Sequence, residues 1–456
     1  MSGFPPVFSG RRFAVMGLGR NGLAAARALA AMGAEVIGWD DAVAAREAAV
    51  GVRLADPTEV DFEAEALVLS PGIPHRLPAP HRAAAWARRR GIPILCDVEL
   101  LFVAVRAAGS RARFAGITGT NGKSTTTALL AHILDGAGIV VAAGANLGPA
   151  ALSLPLLPDH GIYVLEMSSY MLERIAALRF DVAAMLNLSP DHLDRHGDMA
   201  GYIAAKTRIF ARQGTDDTAV VGVDDAASRE LATQLSRGPA RLLRISGLVD
   251  ADVGYAGGWL RCAAGPILPM AEARALPGHH NAQNAAAAAA MAATLGTGWP
   301  EIAHGIASFP GLAHRQQRVG EVGGVLFVND SKATNADAAA RALACYPWLV
   351  WIAGGIAKAG GIEPLAPFFP RIAEALVIGR DAPALAATLS AHGVRHRIVE
   401  TIEAAVPAAF AAARIEGAPV VLLSPACASF DQFASFEARG ARFAALVTEL
   451  AAGRTA

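Results

Sequence analysis

No apolar run in this chain approaches the roughly 20 residues needed to cross a bilayer; each is short and broken by glycine, proline or charge. Membrane insertion is therefore not expected. Nor does one sign of charge dominate: 40 basic residues face 40 acidic ones, so the basic field of a nucleic-acid binder is missing. A small anionic ligand, which needs only local charge, stays open. Cysteine is scarce, at four in 456 residues. Cys96, Cys262, Cys345 and Cys427 lie far apart with no CxxC pair, which argues against a disulfide frame or zinc ligands and for reduced, mostly buried thiols. Met1 to Arg12 has no long apolar core ahead of a small-residue cleavage site. No secretory signal is expected there, and the cytoplasm is the expected compartment.

What the chain has in quantity is small apolar side chains, being 53% hydrophobic and rich in alanine, valine and leucine. The length suggests about two to four domains. Short apolar strands alternate with helical patterns throughout, so the expected class is α/β with three units: 1–108, 109–311 and 312–456. Pro310-Gly311 is a plausible hinge between the last two.

In the first unit, strand Arg12 to Met16 runs into Gly17-Leu18-Gly19-Arg20-Asn21-Gly22 and an alanine-rich helix. Strand Glu35 to Trp39 ends at Asp40-Asp41. This is a GxGxxG fingerprint with an acid at the end of strand two, in a Rossmann-like unit. It suits a dinucleotide, yet the same geometry holds any nucleotide diphosphate at a helix N-terminus. Strand Ala66 to Ser70 leads into Pro71-Gly72 at the sheet's carboxyl end, where ligands of such folds bind.

The centre of the chain is organised around Gly116-Ile117-Thr118-Gly119-Thr120-Asn121-Gly122-Lys123-Ser124-Thr125-Thr126. An apolar strand enters it and a helix leaves it, the order of parts in a phosphate-cradling loop within a P-loop ATPase-like unit of mostly parallel sheet. Backbone N–H groups and the helix N-terminus would hold phosphate, Lys123 would reach the β- and γ-phosphates, and Ser124 would sit where Mg²⁺ is held. Gly116 to Gly122 encloses five residues where the standard loop has four, so either Gly119 is the true first turn or the loop is a variant. Ile162 to Glu166 is a strand ending in an acid, where nucleotide-binding sheets place a carboxylate against Mg²⁺. After the next strand, Asp191, His192, Asp194 and His196 crowd one loop, the chemistry of a metal or anion site. On pattern alone Lys206, among alanines, is a snorkelling helix lysine. The third, Rossmann-like unit offers polar loops at two strand ends, Asn329 to Asn335 and Ser424 to Asp431; Cys427 reads as a small packing residue.

Taken together, Thr118-Gly119-Thr120-Asn121-Gly122-Lys123-Ser124-Thr125 resembles the ATP loop of the Mur ligases, cytoplasmic amide ligases of peptidoglycan synthesis, which accounts for the extra loop residue. Ser70-Pro71-Gly72-Ile73, Asp330 to Asn335 and Ser424 to Phe433 are further marks of that family, so the resemblance spans all three units. It implies an ATP-dependent acid–amino-acid ligase acting on UDP-N-acetylmuramoyl-L-alanine and D-glutamate, with two Mg²⁺ ions, no nucleic-acid or membrane partner, and a monomeric state.

By that resemblance Arg20, Asn21, Asp40, Asp41, Ser70 and Gly72 hold the UDP moiety rather than NAD, and Asn146 and His192 meet the muramoyl-alanine end. Gly119, Thr120, Asn121, Gly122, Lys123, Ser124 and Thr125 bind ATP with Asn281, Asn284 (adenine), Arg315 (phosphates) and Asp330 (ribose). Ser124 and Glu166 hold one Mg²⁺. His192 and Lys206 hold the other, with Lys206 carbamylated by CO₂, which overrules the pattern-based reading of that lysine. Lys123, Glu166, His192 and Lys206 are the catalytic set. Lys332, Thr334, Lys358, Ser429, Phe430 and Phe436 form the D-glutamate pocket. Three departures stand out. Met171 replaces a family glutamine, so that residue's polar contact to the sugar-peptide is not expected here. Phe430 stands where a smaller leucine is also known, and the Gly354 to Lys358 run is altered around its lysine.

Overall fold

The computed structural model describes residues 3–358 and 360–453, and among these twenty strands alternate with helices. The chain forms two compact units, Met1–Ala273 with His279–Phe309, and Arg274–Gly278 with Pro310–Ala456. The border at Phe309–Pro310 lies beside the Pro310-Gly311 turn.

The first unit holds two sheets. The smaller is built from β1 (Arg12–Met16), β2 (Glu35–Trp39), β3 (Arg53–Leu54), β4 (Ala66–Leu69) and β5 (Ile94–Leu95), in the order β3-β2-β1-β4-β5 with every pairing parallel. The order reverses between β1 and β4. That reversal opens a crevice beyond their carboxyl ends, and the loops Gly17–Gly22 and Ser70–Ile73 stand on either side of it. β1 and β4 are buried along nearly their whole length, as a sheet covered on both faces requires.

The larger sheet comprises β6 (Arg113–Thr118), β7 (Val141–Ala145), β8 (Ile162–Glu166), β9 (Val182–Met185), β10 (Thr218–Gly222), β11 (Arg241–Ser246), β12 (Val253–Ala256), β13 (Trp259–Cys262) and β14 (Gly265–Pro269), ordered β14-β13-β12-β11-β10-β9-β6-β8-β7. It is parallel from β7 to β12 and ends in an antiparallel meander, β12-β13-β14. β6, carrying the phosphate loop, sits between β8 and β9, so the loops after all three converge. The alanine-rich helix His279–Thr294 is buried over Asn281 to Ala292 and packs on the helix Lys123–Gly136 that leaves the loop. Its small side chains allow that close approach.

The second unit contains β15 (Gln317–Val322), β16 (Val325–Asn329), β17 (Leu349–Gly354), β18 (Ile372–Ile378), β19 (His396–Glu400) and β20 (Val420–Leu423), ordered β15-β16-β20-β17-β18-β19. Only the β15–β16 edge is antiparallel. Central placement of β20 brings the loops after β16, β17 and β20 to one end.

Candidate active site

Gly122 caps the helix Lys123–Gly136 in the left-handed region, at φ +84°. A Cβ there would stand 2.2 Å from Asn284 Oδ1, so glycine is the residue that fits. Lys123 Nζ donates to Gly119 O at 2.9 Å and Thr120 O at 2.8 Å. One helical residue on, Ser124 Oγ donates to Glu166 Oε2 at 2.7 Å, and Asn146 Nδ2 donates to Glu166 Oε1 at 2.6 Å. Glu166 is only 2% exposed and fixed from both sides. Thr125 follows in the same helix, half-buried.

Lys206 corrects the pattern-based expectation of a snorkelling lysine. It is 2% exposed, and its amine donates inward to Gly119 O at 2.8 Å and Thr118 Oγ1 at 3.2 Å, 4.9 Å from the Tyr202 ring centroid. Burial first, then the Lys123 charge, pull its pKa well below the ordinary lysine value, favouring the neutral amine. His192 adopts φ +53°, half-exposed, near Asp191 (3.4 Å) and against the Tyr170 ring (5.1 Å). Burial lowers its pKa as well.

The expected four-residue cluster does not form. Asp191 and Asp194 are exposed. The His196 ring is buried, bonded to Ser169 Oγ at 2.9 Å and enclosed by Tyr170 and Tyr202. Among the described residues no three His, Cys, Asp or Glu side chains gather as metal ligands. The hydroxyl–carboxylate pair Ser124–Glu166 is an oxygen-donor set that fits Mg²⁺ beside phosphate. An imidazole and a neutral amine are poor Mg²⁺ donors, so His192 and Lys206 as they stand do not fit a second ion.

Around the crevice of the smaller sheet, Asp40 accepts from Leu18 N (2.7 Å) and Ala42 N (2.9 Å), pinning the glycine loop. Asp41 pairs with His81 and Arg82, which hold its carboxyl below the usual range. Ser70 Oγ donates to Gly17 O at 2.8 Å. Gly22 packs so tightly under the turn that a Cβ would meet Gly17 O at 1.7 Å. Arg20 Nε lies 3.2 Å from Asn21 Oδ1, and Asn21 Nδ2 reaches Asp97 at 3.4 Å. Gly72 is exposed.

Asn281 and Asn284 lie under the phosphate loop. Asn284 Nδ2 donates to Asn281 Oδ1 (3.0 Å), and Asn284 Oδ1 accepts from Thr126 Oγ1 (3.3 Å). These bonds tie the helix His279–Thr294 to the first turn of the helix that leaves the loop.

In the second unit Asp330 is buried, accepting from Ser424 Oγ (2.8 Å) and Gln316 N (3.2 Å), and burial pushes its carboxyl up to about 7. Lys332 Nζ lies 4.0 Å over the Phe436 ring. Ser429 is buried, Thr334 and Arg315 are half-buried, and Lys358 and Phe430 are exposed. Cys427 is buried, its thiol raised to about 12 by burial, as suits a packing residue.

Sequence reasoning missed several positioning groups. Asn187 accepts from Asn121 N (2.9 Å) and donates to Asn121 O and Gln283 Oε1, tying the phosphate loop to two neighbours. Met171 is fully buried in the core, so it presents nothing polar or apolar to a ligand. Arg439 is 1% exposed and donates to Ser331 O, Ser331 Oγ, Cys427 O and Gly354 O, joining the three strand-end loops of the second unit. Its signal was legible: it occupies the inward stripe Arg439, Gly440, Phe443, Leu446 and Val447 of an otherwise amphipathic helix.

Residues 117–292 match the family model described as the Mur ligase middle domain. The chain is 50% identical over 449 residues to the UDP-N-acetylmuramoylalanine–D-glutamate ligase of Paramagnetospirillum magneticum, covering 97% of each chain. It is 48% identical over 460 residues to the enzyme of that name from Caulobacter vibrioides, covering 98% of this chain and 97% of that one. Among solved structures, the UDP-N-acetylmuramate–alanine ligase MurC of Thermotoga maritima has TM-score 0.60 at 16% identity, with 96% of this chain and 99% of that one covered. MurF of Acinetobacter baumannii has TM-score 0.60 at 19% identity, covering 96% and 91%. At that identity the two structures speak for the fold alone.

Proposed function

This chain belongs to the Mur ligase family, and on that premise we propose that it joins D-glutamate to UDP-N-acetylmuramoyl-L-alanine at the expense of ATP, in cytoplasmic peptidoglycan precursor synthesis. The observation that carries the reading is the convergence of Lys123, Ser124, Glu166 and Lys206 on one phosphate loop at the carboxyl end of β6 and β8.

The alanyl carboxylate of the substrate attacks the γ-phosphorus of ATP; the bond from that phosphorus to the bridging oxygen breaks, giving an acyl phosphate and ADP. The amine of D-glutamate then attacks the acyl carbon and loses a proton as phosphate departs. The first step brings two anions together, so positive charge must lie between them. Lys123 supplies one such charge, held near the loop by Gly119 O and Thr120 O. Removing one charge of this kind costs on the order of 10²–10³ in rate. Ser124 and Glu166 would hold Mg²⁺, which neutralises phosphate oxygens when bound. Asn146 fixes the Glu166 carboxylate from the side opposite Ser124. Carbamylation of Lys206 would turn its amine into an oxygen donor and so supply, with His192, the chemistry a second Mg²⁺ needs.

The same reading assigns UDP to the Gly17–Gly22 and Ser70–Ile73 loops, within a first domain of residues 1–108. ATP falls to a central domain of 109–311, with Arg315 and Asp330 contributed by a third of 312–456, which also carries the Lys332, Thr334, Lys358, Ser429, Phe430 and Phe436 pocket for D-glutamate. The protein acts as a monomer without nucleic acid. No helix among the described residues is long and apolar enough to cross a membrane. Phosphate release measured with UDP-N-acetylmuramoyl-L-alanine, ATP and D-glutamate, and again with each omitted, tests the proposal. Release undiminished without D-glutamate, or equal with L-alanine in its place, would refute it.

A further inference from the structure

Directly after Glu166 the chain runs through the short helix Ser169–Leu172 to Arg174. That arginine is 2% exposed, and among the described residues no carboxylate forms an ion pair with it. Its charge is met by main-chain dipoles instead. Nη1 donates to Leu69 O (2.7 Å) and Ser70 O (3.0 Å), and Nη2 donates to Ile73 O (2.7 Å). These three carbonyls belong to the turn that leaves β4 at the reversal of strand order. The same turn is bonded to the glycine loop through Ser70 Oγ and Gly17 O. From its outer side Arg195 Nη1 donates to Gly72 O (3.0 Å), its guanidinium 4.4 Å from the Tyr170 ring centroid. Tyr170 in turn packs on His192.

A buried guanidinium without a counter-ion is costly to keep. Its rigid fork spreads donors to three carbonyls at once, from Leu69 to Ile73, which the single point charge of a lysine does not. The fork therefore reads the shape of this turn, from a backbone continuous with the strand-end carboxylate eight residues earlier in the sequence. We propose that Arg174 is a positioning residue that sets the Ser70–Ile73 turn against the phosphate-transfer site, so that a nucleotide-linked substrate held by the turn presents its far carboxylate at the correct reach from Lys123 and Glu166. Arg195 secures the outer face of the same turn. The inference rests on the reaction assigned above and adds the residue that couples its two nucleotide sites.

Arg174→Lys and Arg195→Ala test it, with binding of UDP-N-acetylmuramoyl-L-alanine and of ADP measured separately by calorimetry alongside steady-state kinetics and melting temperature. In Arg174→Lys, affinity and KM for the UDP substrate should worsen about tenfold, the weight of one charged hydrogen bond. ADP affinity and the KM for D-glutamate should stay within about twofold. Arg195→Ala, at a half-buried site with less risk to folding, should give the same selective pattern more weakly. Equal weakening of both nucleotides in step with a lowered melting temperature would overturn the inference, as would unchanged UDP-substrate binding in both variants. Wild-type protein that fails to ligate D-glutamate while Arg174→Lys still loses UDP-substrate binding selectively would refute the reaction and uphold the coupling.

Discussion

Replacing Gly122 by alanine probes the phosphate loop without adding or removing charge. The new Cβ would lie 2.2 Å from Asn284 Oδ1 and 3.1 Å from its Cγ, short of carbon contact distance by more than about 1 Å at the oxygen. Two costs follow. Alanine in the left-handed conformation, at φ +84°, costs about 1–2 kcal/mol. Displacing Asn284 breaks its bonds to Thr126 and Asn281, at about 0.5–1.5 kcal/mol each. Together these give about 2–5 kcal/mol of local destabilisation. Denaturant unfolding of Gly122→Ala, Asn284→Ala and the double variant separates the contributions. Both single variants lose the same two hydrogen bonds, so the double variant should be less destabilised than their sum, by about 1–3 kcal/mol. ADP affinity in Gly122→Ala should fall at least about tenfold, since the loop can no longer close on its helix. Strict additivity would show that Gly122 and Asn284 do not meet, and the account of this loop would be wrong.

Lys206→Met should abolish ligation yet raise the melting temperature at pH 7. The folded state depresses this amine's pKa, so the wild type carries a penalty wherever the unfolded chain is protonated; the gap between the proteins should close as pH approaches the ordinary lysine value of 10.5. An identical gap at pH 7 and pH 10 would refute the buried neutral amine. Asp97, raised by burial from 3.8 to about 6, has the opposite logic: its protonated form is preferred in the fold, so that stability is complete below pH 3.8 and lost as pH rises through 6. Asp97→Asn, which keeps an acceptor for Ala151 N and Asn21, should therefore gain up to about 3 kcal/mol on the wild type between pH 4 and pH 7, read from unfolding midpoints across that range. Glu99 accepts from Ala176, Ala177 and Leu178 N at 2.6–3.0 Å while 2% exposed. Glu99→Ala should thus cost roughly 3–5 kcal/mol, with Glu99→Gln intermediate; a loss below about 1 kcal/mol for alanine would mean that water replaces the carboxylate.

The parts legible in the sequence were those whose signal is local. The glycine turns, the strands that enter them and the acid at the end of β8 each announce themselves within a dozen residues. The antiparallel meander β12-β13-β14 went unread because its strands are short and partly exposed, as Trp259 illustrates at 42%. Yet a turn signal was present: Gly257 and Gly258 both have positive φ and join β12 to β13 as a two-residue hairpin. His192 and His196 show a deeper limit. Four residues apart in one motif, they differ because His192 takes a left-handed conformation that turns the next four residues into a helix, sending one ring outward and the other between two tyrosines. Arg174 carries no periodic signature at all; its meaning lies in carbonyls about a hundred residues away.

Lys206 is the residue on which pattern and environment disagree most, and its environment combines burial with a carbonyl shared at Gly119. That single carbonyl accepts from Lys123 at 2.9 Å and from Lys206 at 2.8 Å. Two ammonium groups sharing one oxygen repel each other strongly where water is excluded. That repulsion adds to the larger effect, the desolvation cost of a charged amine only 2% exposed, and both lower the Lys206 pKa. Lys123 is the less buried of the two, and the pull on Lys206 is towards the neutral amine. A neutral amine carries the lone pair that the proposed addition of CO₂ requires. Through the geometry of one carbonyl the loop thus holds two amines together, and burial is what chiefly disfavours the charge on the deeper one.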